Sequence, residues 1–368
     1  KSFFEKIYLD NKKLIIFSFV VSFFIIAFFN FQLNIYQKGF IYPHGVSSIV
    51  TNFIKWMLLF GLTTFSSFFI YTEISRLKKF SALTTFVVFT EIFVSYSSML
   101  SRLLILNHAA IAYSLTKFWD IIKNKIIFFL GIFILIIVMF LANNYFSNHY
   151  RINYAIDISS YEQDKEHYLA QKKKIKELKE SEDFKKEDLK EFEIKDKPGR
   201  GSTSVFLIIN RWIGIDSMIA IVSSNKLSFD LFFQSLKEKK ITDKHTFYES
   251  TFNVDWDGGK EVQFGEKRVL KGNTLPGIIS FLFYSGNYYF LFFSMFFLTF
   301  IFSLLEILCV KISNKNMVFA SFISYTIAFR LSNFGYAPAD SYLYIVSIAA
   351  SIILMYILSN YKGWDNKL

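Results

Sequence analysis

Four arginines far apart in sequence, Arg102, Arg151, Arg211 and Arg330, lie inside or at the edge of apolar stretches. Guanidinium is permanently charged and offers paired N–H donors that match a phosphate, which a lysine ammonium cannot do. A charge at membrane depth is costly, and where it is kept it commonly serves an anionic ligand or an ion path. Arg211 makes the case best. It sits within Val205 to Ser224, a run apolar enough to enter a bilayer, with Asn210 and Trp212 beside it and Asp216 in the same run. The expectation is a set of arginines at one depth around a phosphate pair, with Arg211 at the pocket floor. The plainer reading of each is snorkelling or a local ion pair, such as Arg211 with Asp216.

A hydroxyl attacking next to such a phosphate needs a proton acceptor, and Asp216, His149, Asp340 and Glu249 are the candidates. A helix cap or a salt bridge is the better account of any one of them taken alone. Asp255-Trp256-Asp257 has the spacing of a metal-holding DxD element, but an acidic turn with glycines accounts for it, and no metal or other cofactor is expected. The five His are scattered without metal-ligand spacing, and no phosphate-binding or nucleophile motif is present.

The elements that must position these residues are membrane helices. The chain has 368 residues, 53% of them hydrophobic, and the apolar ones fall in blocks of membrane-spanning length. Its 47 Phe accompany abundant Ile, Lys and Asn and scarce Ala, Gly and Pro, so they carry no ligand specificity. The net charge of +11 sits mainly in short loops beside apolar blocks, where it orients the protein rather than binding nucleic acid. The single Cys309 excludes disulfides within the chain. The opening Lys1 followed by Lys12-Lys13 shows no cleavage site, so further spans upstream are expected.

Hydropathy and Lys/Arg bias predict spans at Leu14–Phe31, Ile49–Tyr71, Ala82–Leu100, Leu103–Trp119, Ile126–Ala142, Tyr288–Val310, Met317–Leu331 and Ser341–Leu358. Both termini face the cytoplasm, and Leu103–Trp119 must cross back although Asn107 and His108 weaken its hydropathy. Glu91 and Glu306 are expected to be buried within spans, each paired with a polar group of a neighbouring helix. The organisation is therefore residues 1–142 with five spans, 143–204 as a charged outer loop, and 205–224 as an interfacial or re-entrant piece. A second outer loop follows at 225–287, then three spans at 288–368. The first loop carries 13 basic and 13 acidic residues, which suits exposed helices laced with ion pairs. In the second, Phe229 to Phe233 reads as an amphipathic turn, Asn253–Arg268 as a hairpin around Gly258-Gly259, and Ile278–Tyr284 as a short helix stopped by Gly286.

Three pieces together resemble a known family: Ser101-Arg102 in an outer turn, Asn210 to Asp216 after the large loop, and Thr274-Leu275-Pro276-Gly277 with Tyr284-Ser285-Gly286. With two long outer loops on a cation-rich bundle, the chain is similar to the Wzy-type O-antigen and capsule polymerases and their relatives the O-antigen ligases. The resemblance implies an all-α polytopic membrane protein, a GT-C-like bundle of about eight transmembrane helices, where the family usually has ten or more. It implies a metal-independent glycosyltransferase in the bacterial inner membrane, with its active face extracytoplasmic. The substrate would be an undecaprenyl-pyrophosphate-linked glycan presented in membrane lipid, with a chain-length regulator as a further partner. Arg102, Arg211 and Arg330 would contact pyrophosphate, and a base near Asp216 or His149 would activate the acceptor. A ligase would instead depend on an outer-loop His, for which His149 and His245 are placed. A flippase of lipid-linked sugars would show internal pseudo-symmetry, and no repeat is found.

Overall fold

The computed structural model describes residues 2–37, 40–41, 46–78, 81–101, 104–116, 118, 124–155, 215–237, 247–252, 263–264, 268–270, 277–332 and 338–362. The elements in order are α1 (Phe3–Asp10), α2 (Lys12–Gln32), strand β1 (Phe40–Ile41), α3 (Ser48–Leu77), α4 (Ala82–Ser98), α5 (Leu104–Leu115) and α6 (Lys125–Ala155). After these come α7 (Ile215–Val222), α8 (Phe229–Ser235), α9 (Phe247–Phe252), β2 (Gln263–Phe264) and β3 (Arg268–Leu270). The chain finishes with α10 (Ile278–Leu282), α11 (Tyr288–Ile312), α12 (Met317–Ser332) and α13 (Pro338–Asn360).

This is a helical membrane protein. Helices α2, α3, α6 and α11 are long and apolar enough to cross a bilayer. Helices α4, α5, α12 and α13 stand at the other four predicted stretches and pack among the long ones, with α5 lying along α12 and α2 along α4. The predicted boundary at residue 142 is not a helix end, because α6 continues to Ala155. Its 31 residues make a rod of about 46 Å, longer than a hydrocarbon core of about 30 Å.

Lipid supplies no hydrogen bonds, so the carbonyls left open at helix ends need partners from within the protein. Asparagines of neighbouring helices provide them. Asn30 of α2 donates to the carbonyl of Ser98 at the end of α4 (2.9 Å), and Asn360 of α13 donates to that of Ile312 at the end of α11 (2.7 Å). Asn314 does the same for Ser359 near the end of α13 (2.7 Å). Each such bond fixes the height of one helix against the next.

One face of the bundle is the basic one, carrying Lys12, Arg76, Lys78, Lys311, Lys315 and Lys362 at helix ends. Helix α1 lies there and ties four elements together. Ser2 and Glu5 form a reciprocal cap at its start, and Ser2 also donates to the Leu358 carbonyl of α13 at 2.7 Å. Glu5 receives Arg76 through Nε (3.1 Å) and Nη2 (2.8 Å). Buried Glu73 of α3 receives the Tyr8 hydroxyl (2.5 Å), the Thr84 hydroxyl of α4 (2.6 Å) and Lys12 Nζ (2.8 Å). Burial, followed by the Glu73 carboxylate, pushes the Tyr8 phenol above its ordinary value.

Opposite the basic face, α7, α8, α9 and α10 form a cap with its own apolar cluster around Phe232, Tyr248, Phe281 and Tyr284. It rests on the first turns of α11 through Phe290 and Leu291. The short helix does stop where the glycine was expected: Gly286 is left-handed at φ 67, and a Cβ there would meet Leu227 Cβ at 3.1 Å. The predicted amphipathic turn is α8, capped by Ser228 Oγ on the Leu231 N–H, with Phe232 inside and Phe233 outside.

The three strands form an antiparallel sheet in the order β1-β3-β2, an addition to the expected all-helical architecture. The β2–β3 hairpin turns between Phe264 and Arg268, whereas Gly258-Gly259 lie outside the described residues. Pairing of Phe40 with Leu270 joins the α2–α3 connection to the second loop and puts both on the far face. Of the run at 205–224, residues 215–224 are described, and they hold α7, eight residues or about 12 Å long.

One expectation fails outright. Glu306 is not buried: it stands on the exposed side of α11, among Phe292, Phe296, Phe300 and Ile307, which are also uncovered by protein. Glu91 is fully buried and accepts from Ser66 (3.3 Å) and Ser95 (2.9 Å), as a pairing across helices requires.

Two outcomes check this architecture. In a Cys309→Ser background, Phe40→Cys with Leu270→Cys should close a disulfide on mild oxidation, since antiparallel partners lie within disulfide reach; an unbridged product on non-reducing gels contradicts the sheet. Glu73→Ala leaves two hydroxyls and Lys12 without their acceptor and should cost about 2–4 kcal/mol, read as a lower thermal midpoint in detergent. Because the Tyr8 value is raised, the phenol's contribution is complete below its ordinary pKa of 10.0 and falls as pH rises above it. Tyr8→Phe should therefore lose less stability than the wild type above that pH.

Candidate functional site

The turn before Arg102 is built with care. Helix α4 ends at Ser98, Leu100 takes a left-handed φ of 50, and the Ser101 N–H returns to the Tyr96 carbonyl at 2.9 Å. The carbonyl of Ser101 is then held by Asn143 Nδ2 of α6 at 2.7 Å, while Asn143 Oδ1 receives Ser97 Oγ at 2.9 Å. Met99, Leu100 and Ser101 are all buried. The chain thus reaches Arg102 from a fixed point inside the bundle rather than from a loose loop.

Helices α5 and α12 run antiparallel. At the basic end Tyr71 lies beside Phe118 and donates to the Asn314 carbonyl, so the end of α5 meets the start of α12. Further along, Tyr113 and Tyr325 are 6.5 Å apart between ring centres. Arg330, near the far end of α12, therefore arrives at the same end of the bundle as Ser101 and the start of α5. Asp340 stands in the first turn of α13, one turn outward of Tyr344, whose ring meets Phe60 of α3 at 4.8 Å.

Of the other expected site residues, some lie outside the described part of the chain and the rest stand elsewhere in the fold. Arg102, Asn210, Arg211 and Trp212, with Asp255, Asp257 and His245, lie outside the described residues. Arg151 stands on α6 eight residues past Asn143, about 12 Å further from the basic face, so a single depth does not hold for it. Asp216 opens α7 and Glu249 belongs to α9, both in the cap. His149 is exposed on α6, its ring stacked on Tyr145 (6.2 Å) and edge-on to Tyr150 (5.7 Å).

Sequence reasoning treated Asn107 and His108 only as flaws in an apolar span. Both are buried, His108 completely. The His108 ring stacks on Phe89 at 4.8 Å, and its Nε2 lies 3.1 Å from the Phe89 carbonyl. Only an N–H can pair with a carbonyl, so Nε2 carries the hydrogen and Nδ1 presents a lone pair. Among the described residues that Nδ1 has no hydrogen-bond partner. Asn107 lies beside Tyr96, and among the described residues its Nδ2 has no hydrogen-bond partner. The hydroxyl of Thr326 of α12 is a further buried atom with no partner among the described residues. Glu91, Tyr36 and Tyr344 lie near Tyr96. The signal available in sequence was two adjacent polar residues in an apolar helix, which marks function by default.

No protein-family profile matches the chain, and neither curated proteins nor solved structures give a match.

The clamp on the turn is open to test. Asn143→Ala leaves the Ser101 carbonyl buried and unpaired, and the thermal midpoint should fall by the equivalent of about 1–3 kcal/mol. An unchanged midpoint means the turn finds another donor.

Proposed function

We propose that the chain is a membrane glycosyltransferase that joins undecaprenyl-pyrophosphate-linked repeat units, acting at the extracytoplasmic face of a bacterial inner membrane. Under this reading the eight apolar helices all cross, in a GT-C-like bundle, and positive-inside bias assigns the basic face to the cytoplasm. The observation that carries it is the convergence at the far end of the bundle. The clamped turn that ends at Ser101, the end of α12 with Arg330 and the start of α13 with Asp340 all lie at that end, above a layer of buried polar groups. Arginines at such an end suit a pyrophosphate that leaves as a dianion, and no metal is required of them.

The chemistry asks three things of the protein. Guanidinium groups stabilise the departing pyrophosphate, a proton acceptor takes the hydrogen of the attacking hydroxyl, and the cap limits water so that transfer wins over hydrolysis. The cap of α7 to α10, with its sheet onto the α2–α3 connection, lies on the face where that limit is needed. One observation favours a second reading, a proton-coupled carrier of lipid-linked sugars. Glu91 is buried at bilayer depth and, among the described residues, pairs only with hydroxyls.

Purified protein incubated with lipid-linked repeat units should give a ladder on a gel, and the ladder should persist in EDTA. Arg211→Glu should reduce polymer by about 100-fold or more while single units persist. Normal chain length in that variant removes Arg211 from the pyrophosphate site. Substrate crossing into protein-loaded vesicles with no ladder supports the carrier instead.

A further inference from the structure

We infer that Asn107 and His108 form the binding site for the attacking hydroxyl, with His108 Nδ1 as the base that takes its proton. The inference rests on the glycosyltransferase reading and names the group in it that the outer-loop candidates leave unfilled. A hydroxyl both donates and accepts. The two orphaned atoms on neighbouring residues of α5 are one acceptor, His108 Nδ1, and one donor, Asn107 Nδ2. Burying either atom unpaired is costly, and a bound hydroxyl removes that cost.

The position suits the role. His108 lies one helical turn, about 6 Å, inside the start of α5, and so just beneath the turn that leads to Arg102 and the far end of α12. The surroundings fix its ring. Stacking on Phe89 holds the plane, and the Phe89 carbonyl holds the tautomer that leaves Nδ1 free to accept. The same carbonyl faces Nε2–H after protonation and stabilises the imidazolium.

In the step itself the O–H bond of the acceptor sugar breaks and its proton passes to His108 Nδ1. The acceptor oxygen forms a bond to the anomeric carbon of the donor glycan. The bond from that carbon to the pyrophosphate oxygen breaks, and its electron pair leaves with undecaprenyl pyrophosphate. The proton then moves from the imidazolium to the departed pyrophosphate or to water.

The experiment uses the full chain in lipid nanodiscs with lipid-linked repeat units. His108→Gln keeps a side-chain N–H able to reach the Phe89 carbonyl and removes Nδ1. Its kcat should fall by about 100-fold or more, with KM for the glycan little changed, and the acid limb of the wild-type pH profile should vanish. Asn107→Ser should raise KM by about 10-fold with kcat retained, which covers the case in which His108→Gln fails to fold. Wild-type kcat and pH profile in His108→Gln, or wild-type KM in Asn107→Ser, overturns this inference while leaving the glycosyltransferase reading in place. A wild-type protein that makes no ladder overturns both.

Discussion

A helix bundle in lipid must satisfy its own polar groups, and that constraint sets the relative height of nearly every helix in this bundle. Four asparagines supply the bonds. Asn30, Asn143, Asn314 and Asn360 each reach from one element to a carbonyl at the end of another. A fifth, Asn316, donates to Ser67 within α3 at 3.2 Å and caps its own helix on the Phe319 N–H. Van der Waals packing between Phe, Ile and Leu surfaces is permissive about sliding, whereas a carbonyl without its donor is not. Short, branched amides at helix ends therefore do the positioning that hydrophobicity cannot do in a solvent as apolar as the helices.

The two halves of the bundle treat charge and polarity differently. At the basic face, every oxygen of the Glu5 and Glu73 carboxylates with a described partner meets a hydroxyl, a guanidinium, an ammonium or a backbone N–H. Buried ion pairs of this kind contribute specificity of arrangement more than net stability, and here the arrangement locks α1 across α3, α4 and α13. Toward the far face the pattern reverses. Asn107, His108 and Thr326 are buried with atoms left unpaired, next to a carboxylate that has hydroxyl partners alone. Buried hydroxyls without a partner among the described residues also occur at Thr51 and at Thr72 beside Glu73, but Asn107 and His108 leave a donor and an acceptor open on adjacent residues.

Helix α3 links these halves. It contains two π-helical turns, Met57–Gly61 and Glu73–Leu77, each of which inserts an extra residue and rotates the next turn of helix about its axis. After the first, Thr63, Thr64, Ser66 and Ser67 all turn inward, and Ser66 meets Glu91. The second presents Glu73 and Arg76 to α1. By contrast α11 gives almost all its length to the outside, so its phenylalanines solvate the protein in lipid and have no part in the site.

Periodicity and charge bias were enough to locate all eight apolar helices and the glycine stop at Gly286, because hydropathy and backbone conformation are local properties. They also flagged Arg330 as a residue at the end of a helix, whereas Asp340, expected in the turn before Ser341, belongs to the first turn of α13. Partnerships are not local. Nothing in the neighbours of Glu306 distinguishes it from Glu91, yet one faces outward and the other is enclosed, since the rotation of a helix depends on what packs against it. The orphaned Nδ1 of His108 exists only because the Phe89 carbonyl of another helix takes the opposite nitrogen. Likewise Asn143 became a clamp on the Ser101 turn only once α6 stood beside α4, a matter of three-dimensional register that no stretch of sequence encodes by itself.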